Sequence, residues 1–392
     1  MDDLQSRTIA VQSPIIPAIG ALIRDNPGTI SLGQGVVYYS PPTAALANLS
    51  EFFSDRENHK YKSVRGIPQL LTAITKKLKQ ENGIEIVAGE NCIVVTAGSN
   101  MAFMNAILAL TNPGDEIILQ LPYYFNHEMA ITLANCQPIL VETDENYQLK
   151  PAAIERSITE RTKAIVTISP NNPTGAVYSR SALAEVNKIC RERGIYHISD
   201  EAYEYFTYDR IKHYSPGSCP QSRDRTISLY SLSKAYGFAS WRIGYMVIPD
   251  RLLDGIKKIQ DTLLICPPVI SQYAAYQSLE VGISYAKEHL LQINKIREMM
   301  LKSLESIADL CTVAPAEGAF YLFLKVNLKI DSFELAKKLI EVDRVAVIPG
   351  NTFGMDRGCY LRVAYGAIDL ETAKIAMTRL VKGLRAIASR EQ

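Results

Sequence analysis

Seven short apolar, β-branched runs recur along the middle of this chain, and stretches of helical character separate them. They fall at 92–96, 116–120, 138–141, 164–168, 196–199, 226–230 and 244–248. Each is a near-continuous hydrophobic run rather than an apolar/polar alternation, which predicts strands buried on both faces. The connectors have the length of helices. One spans 101–110, and another spans 182–193 and stops at Gly194, a residue suited to the left-handed turn that ends a helix. Asn112-Pro113-Gly114-Asp115 introduces the second strand as a turn. The pattern predicts an α/β fold: a mostly parallel seven-stranded sheet sandwiched by helices.

The C-terminal third changes character. Ala286, Leu290, Ile293, Ile296, Met300, Leu304 and Ile307 recur at spacings of three and four, which marks one long amphipathic helix able to bridge two domains. Strands are expected at 319–324, 345–348 and 361–364, with helices at 332–341 and 368–387. That is a smaller α+β domain. At 392 residues the chain exceeds what one core usually holds. The expected division is an N-terminal segment at 1–45 that packs on the small domain or crosses the cleft, a large domain at 46–285, and a small C-terminal domain at 286–392.

Lysine and arginine total 42 against 41 aspartates and glutamates, so there is no basic field for nucleic acid. No apolar run reaches the roughly 18 residues of a membrane span. The acidic start, Met1-Asp2-Asp3-Leu4-Gln5, lacks a secretory pattern. Seven cysteines, at 92, 136, 190, 219, 266, 311 and 359, are scattered without a C-x-x-C, as in a reduced cytoplasmic protein. The five histidines form no H-x-x-x-H or Cys/His cluster, and no metal is expected.

In a parallel α/β sheet, functional groups gather beyond the carboxyl ends of the strands. After the first strand, Thr96-Ala97-Gly98-Ser99-Asn100 opens a helix, whose free N–H groups suit a phosphate; such a turn can equally be structural. An aromatic side chain of Pro122-Tyr123-Tyr124-Phe125-Asn126, after the second strand, can stack on a flat heterocycle or belong to the core. The adjacent Asn171 and Asn172 can form Asx turns, or donate to a phenolate. Asp200 ends a buried strand and needs a positive partner, unless it only caps a helix. Ser231, Ser233, Lys234 and Arg242 cluster after the sixth strand. A lysine there, in a desolvated and cation-rich pocket, becomes a Schiff-base nucleophile, and the arginine fork matches phosphate. Together these groups ask for a phosphate, a flat ring, a phenolate, a ring nitrogen and an aldehyde. Pyridoxal 5′-phosphate has all five.

With Asn172-Pro173-Thr174-Gly175, Asp200-Glu201-Ala202-Tyr203 and Lys234 through Trp241-Arg242-Ile243-Gly244-Tyr245, the chain resembles the class I/II aminotransferases, the fold-type I pyridoxal-phosphate enzymes. The likeness extends from Ser31-Leu32-Gly33-Gln34-Gly35 to Leu361-Arg362-Val363-Ala364. It implies that Lys234 holds the cofactor aldehyde and moves the proton between Cα and C4′. It implies that Asp200 pairs with the ring nitrogen, that Asn172 and Tyr203 bond O3′, and that Tyr124 stacks on the ring. Ser99, Asn100, Ser231, Ser233 and Arg242 would form the phosphate cup. Arg362 would clamp the substrate carboxylate, with Gly35 leaving room beside it. Tyr61 matches a tyrosine that reaches the neighbouring subunit's phosphate, which makes sense only in a homodimer with shared sites.

A narrower likeness, through Gln34-Gly35-Val36-Val37-Tyr38-Tyr39 and Tyr203-Glu204-Tyr205-Phe206, is to aromatic and methionine aminotransferases. Tyr38 and Tyr39 would then stand near the cleft and favour an aromatic or apolar side chain. The implied reaction is ping-pong transamination between an α-amino acid and a 2-oxo acid. The alternatives are an aspartate/2-oxoglutarate aminotransferase and a C–S lyase on the same fold.

Overall fold

The structure is a computed structural model in which residues 6–391 are described, so the acidic start at 1–5 lies outside the described residues. The seven expected strands form one sheet. They are β1 (Asn91–Thr96), β2 (Glu116–Leu121), β3 (Gln137–Glu142), β4 (Thr162–Ile168), β5 (Tyr196–Asp200), β6 (Thr226–Ser231) and β7 (Gly244–Pro249). Their order is β1-β7-β6-β5-β4-β2-β3. All pairings are parallel except those of β7, which runs antiparallel to β1 and β6.

Alternation within each strand feeds two cores. Cys92 and Val94 join Phe103, Ile107, Leu119 and Ile227 on one face. Ile93 and Val95 join Ile67, Leu70 and Ala274 on the other. β1 and β3 are the edge strands, and β3 is the one most exposed to solvent, with Leu140 at the surface. The connectors form as the sequence predicts. Helix Arg180–Arg193 starts where Ser179 Oγ accepts from the Ala182 N–H, and it ends at Gly194 with φ 72°.

The long bridging helix is Ser284–Glu305. Beyond it lies a four-stranded antiparallel sheet of β8 (Cys311–Val313), β9 (Tyr321–Val326), β10 (Ile348–Pro349) and β11 (Cys359–Ala364), in the order β10-β11-β9-β8. Helices Ser332–Asp343 and Leu370–Glu391 cover it. The strand expected at 345–348 divides. Val345–Ala346 pairs in parallel with Ile30–Ser31, and the chain then crosses to place β10 beside β11.

The N-terminal segment contains a helix, Ile15–Asp25, that the prolines around it conceal in the sequence. Pro14 precedes its first turn and Pro17 lies within it, where a missing N–H breaks no intrahelical bond. Its apolar side, with Ile15, Ile19, Leu22 and Ile23, packs on Phe323, Ile340, Ile348 and Phe353.

Candidate active site

The carboxyl ends of the strands meet the small sheet in two cavities. The inner one, about 140 Å³, is lined by Ser99, Asn100, Tyr124, Ile168, Asn172, Asp200, Ala202, Tyr203, Ser231, Ser233, Lys234 and Arg242. The outer one, about 320 Å³, shares Tyr124, Asn172, Tyr203 and Lys234 and adds Gly35, Tyr321 and Arg362. Its outer wall is Pro14, Ile15, Ile16 and Pro17, with Phe125 and Asn126 beside them.

Each group is carried by a local feature. Gly98, at φ 84°, turns the chain from β1 into helix Ser99–Leu110. A Cβ on Gly98 would come within 2.5 Å of Arg242 Nη2, so the arginine lies directly against this turn. Asn171 forms the turn after β4, accepting from Thr174 N–H at 3.1 Å and Thr174 Oγ1 at 2.8 Å. Asn172 is thereby left to face the cavity. Its Oδ1 accepts from Arg362 Nη1 at 2.9 Å, and its Nδ2 lies 3.5 Å from Tyr203 Oη. Asp200 closes β5, and its Oδ1 accepts from Ala202 N–H at 3.0 Å. Ser231 Oγ accepts from Ser233 N–H and starts the four-residue helix Leu232–Ala235 that presents Lys234.

Lys234 Nζ donates to the Gly35 carbonyl. Burial, then the charges of Arg362 and Arg242, bring its amine from the ordinary lysine value of 10.5 down to about 8, against the opposing pull of Asp200. Arg362 is buried, and its Nη2 donates to Gly33 O at 2.7 Å. Its Nε is buried without a partner, so the guanidinium retains capacity for an anion.

These residues suit pyridoxal 5′-phosphate. A desolvated amine of lowered basicity, a buried carboxylate, and two paired polar groups, Asn172 and Tyr203, border one enclosed space beside hydroxyls, an arginine and a helix N-terminus. Ser99, Asn100, Ser231, Ser233 and Arg242 could hold the phosphate, Asp200 the ring nitrogen, Asn172 and Tyr203 the phenolic oxygen, and Tyr124 a ring face.

Two of the sequence-predicted residues lie elsewhere. Tyr38, assigned to the substrate, lines neither cavity. Its ring stands edge-on to Tyr39 and His289, its hydroxyl is 3.0 Å from His289 Nδ1, and it is partly open to solvent. It is Tyr39 that turns inward: its ring stacks on His289 at 3.9 Å and its hydroxyl donates to the Lys234 carbonyl at 2.8 Å. Tyr61 is 77% exposed, outside both cavities of its own chain. Gly35 lines the outer cavity together with Arg362, and a Cβ there would strike the Tyr321 hydroxyl.

The structure also brings in residues that no sequence motif singles out. His127 Nε2 lies 3.1 Å from Asp200 Oδ2, and its ring stacks on Phe103 at 3.9 Å. The need of Asp200 for a partner is legible in the sequence, but a histidine beside it on the helix after a different strand is not. Tyr321 and the Pro14–Pro17 wall come from the small sheet and the hidden helix, and only tertiary packing brings them here.

The sequence pattern of the family described as aminotransferase class I and II matches residues 27–380. The aromatic aminotransferase ISS1 of Arabidopsis thaliana is 34% identical over 391 residues, spanning 97% of this chain and 96% of that protein. An aspartate aminotransferase of Pyrococcus abyssi is 33% identical over 361 residues, spanning 91% and 92%. The solved structure of the aspartate aminotransferase from Thermus thermophilus with maleate matches at a TM-score of 0.89 and 28% identity, covering 98% of this chain and all of that one. A lysine-bearing cavity suited to pyridoxal phosphate, on this sheet and with these relatives, makes the chain a pyridoxal-phosphate-dependent transaminase that belongs to the class I and II aminotransferases.

Proposed function

We propose that this enzyme moves the amino group between an aromatic amino acid or methionine and a 2-oxo acid, by ping-pong transamination. The supporting observation is the outer wall of the larger cavity. Pro14, Ile15, Ile16, Pro17 and Phe125 are apolar, and Lys234 and Arg362 are the only cations among its described lining residues. One arginine suffices for the α-carboxylate that every substrate shares. A dicarboxylate would leave a second charge against Ile15 and Ile16, where burying it unpaired is costly.

In this reading Arg362 takes the α-carboxylate through its free Nε edge and stays oriented by Asn172 and Gly33. Bound in the inner cavity, the cofactor supplies an electrophilic carbon and a ring that draws negative charge away from the substrate Cα. Asp200, braced by the Ala202 N–H, keeps the ring nitrogen protonated. Lys234 takes the Cα proton, and its lowered basicity leaves part of its amine neutral and able to accept that proton near neutral pH. The apolar wall limits water around the reacting atoms.

The same reading has the enzyme as a homodimer in the cytoplasm. Tyr61 and Phe53 are large exposed side chains, as a subunit interface would require, and the cysteines form no disulfide among the described residues. Among the described residues no helix is long and apolar enough to cross a membrane. The division into segments 1–45, 46–285 and 286–392 belongs to this proposal as well. It is supported by the separate sheets and by the pairing of Ile30–Ser31 with Val345–Ala346.

A half-reaction screen tests the substrate assignment. The twenty amino acids are mixed singly with the cofactor-loaded enzyme, without oxo acid, and the loss of cofactor absorbance is timed. Tyrosine, phenylalanine, tryptophan and methionine should react fastest and stop after one equivalent. A preference for aspartate would overturn the aromatic assignment. Continued turnover with release of ammonia would identify a lyase.

A further inference from the structure

Tyr321 has no role in the scheme above, yet its side chain touches three parts of the site. It is fully buried. Its hydroxyl lies 2.6 Å from that of Tyr203, its ring sits 4.6 Å from the Arg362 guanidinium carbon, and the hydroxyl occupies the space left by the missing side chain of Gly35. The small sheet sets this placement. Tyr321 is opposite Ala364 and Phe323 is opposite Arg362, so Tyr321 and Arg362 are diagonal neighbours on one face of the β9–β11 pair.

We propose that Tyr321 is a positioning residue that couples the carboxylate clamp at Arg362 to the hydrogen bond between Tyr203 and the cofactor's phenolic oxygen. The inference rests on the reading that Tyr203 donates to that oxygen. A phenol has one proton. If Tyr203 gives its proton to the cofactor, the short Tyr203–Tyr321 contact must be a donation from Tyr321. A hydroxyl that accepts a hydrogen bond becomes a stronger donor in turn, and the low dielectric around two buried phenols enlarges the effect. The Arg362 charge over the Tyr321 ring makes the Tyr321 proton easier to share. It also fixes the ring through a cation–π contact, which holds the guanidinium in place before substrate arrives. One side chain therefore sets both the donor strength of Tyr203 and the pose of Arg362.

Two measurements on the cofactor-loaded protein separate these effects. The first is the pH midpoint of the absorbance change of the lysine-bound cofactor. The second is the affinity for 3-phenylpropionate, a carboxylate without an amine, measured by calorimetry. Weakening donation to the phenolic oxygen favours the protonated cofactor, so Tyr203→Phe should raise the midpoint. Tyr321→Phe should raise it in the same direction by a smaller amount, about half a pH unit. It keeps the ring, so its affinity for 3-phenylpropionate should stay within about twofold. Tyr321→Leu, which loses the ring too, should also bind that ligand about 3- to 10-fold more weakly.

The double variant Tyr203→Phe with Tyr321→Phe should match Tyr203→Phe alone, because Tyr321 acts through Tyr203. Additive shifts in the double variant would overturn the proposal. An unshifted Tyr321→Phe beside a shifted Tyr203→Phe would overturn it too, while leaving the role of Tyr203 standing. If neither variant shifted, the reading of Tyr203 and the proposal would fail together.

Discussion

Arg362 Nη1 donates to Asn172 Oδ1 at 2.9 Å, across the boundary between the small sheet and the large one. Asn172 also reaches toward Tyr203, so the residue proposed to grip the substrate and those proposed to grip the cofactor form one hydrogen-bonded unit. The guanidinium is oriented in advance, with two of its nitrogens held by protein acceptors and the third unpaired.

Arg362→Lys keeps the charge and removes the fork. A lysine has no planar pair of donors to hold Asn172 and Gly33 while meeting a carboxylate. Breaking a buried charged contact of this kind costs about 2–4 kcal/mol, so kcat/KM for phenylalanine should fall roughly 30- to 1000-fold. The loss should be much smaller for phenethylamine, which has no carboxylate. Steady-state or half-reaction kinetics on the two donors give the ratio. An equal loss on both would show that Arg362 does not act through the carboxylate.

Lys234 carries a pH prediction that can be read without turnover. Its amine titrates near 8 rather than 10.5, so the neutral form gains as pH rises through about 8. In cofactor-free protein, labelling of Lys234 by an amine-reactive reagent should rise about tenfold per pH unit below 8 and level off above it. Arg362→Gln removes one of the charges that lower this value, so its curve should move to higher pH. Asp200→Asn removes the one opposing charge and should move it lower. Peptide mass spectrometry across pH gives these curves, and a wild-type midpoint near 10.5 would contradict the enclosed site.

Much of the fold and the inner cavity was legible because both depend on local signals. A buried run of apolar residues ending in Asp200, or in Ser231 through Lys234, marks a strand and its functional end at once. The outer cavity obeys no such rule. Tyr38 and Tyr39 are adjacent and chemically alike, and only packing decides which one turns inward; His289 stacks on Tyr39 and leaves Tyr38 at the surface. The helix Ile15–Asp25 was hidden because Pro14 and Pro17 read as breakers, although the first turn of a helix tolerates proline. The run at 345–348 reads as one strand because its hydrophobic pattern does not change where the chain passes from one sheet to another.

The hidden helix carries the specificity prediction. Ile16 lines the outer cavity and is 37% exposed, so a longer polar side chain can enter there without displacing core. Ile16→Arg adds a cation beyond Lys234 and Arg362, free to meet a side-chain carboxylate. The ratio of kcat/KM for aspartate to that for phenylalanine should rise about 10- to 100-fold, the range of one new charge-assisted contact. An unchanged ratio in the half-reaction screen would remove the wall from the specificity argument.

The shared-site dimer rests on Tyr61, whose exposed side chain has no place in its own chain's cavities. If its hydroxyl serves the neighbouring subunit's phosphate, Tyr61→Phe should weaken cofactor binding about 10-fold, the cost of one hydrogen bond to a charged group. The dimer itself should persist by light scattering. Complementation gives the sharper result. A subunit with Lys234→Ala cannot use its own cavity but can lend Tyr61, while a Tyr61→Ala subunit keeps an intact Lys234. In a mixed dimer, the Lys234 site of the Tyr61→Ala subunit regains its tyrosine from the other chain. Mixing the two variants one to one should therefore restore tight cofactor binding at one site per mixed dimer, about a quarter of the wild-type amount after random exchange. If tight binding did not return after subunit exchange, Tyr61 would not act across the interface.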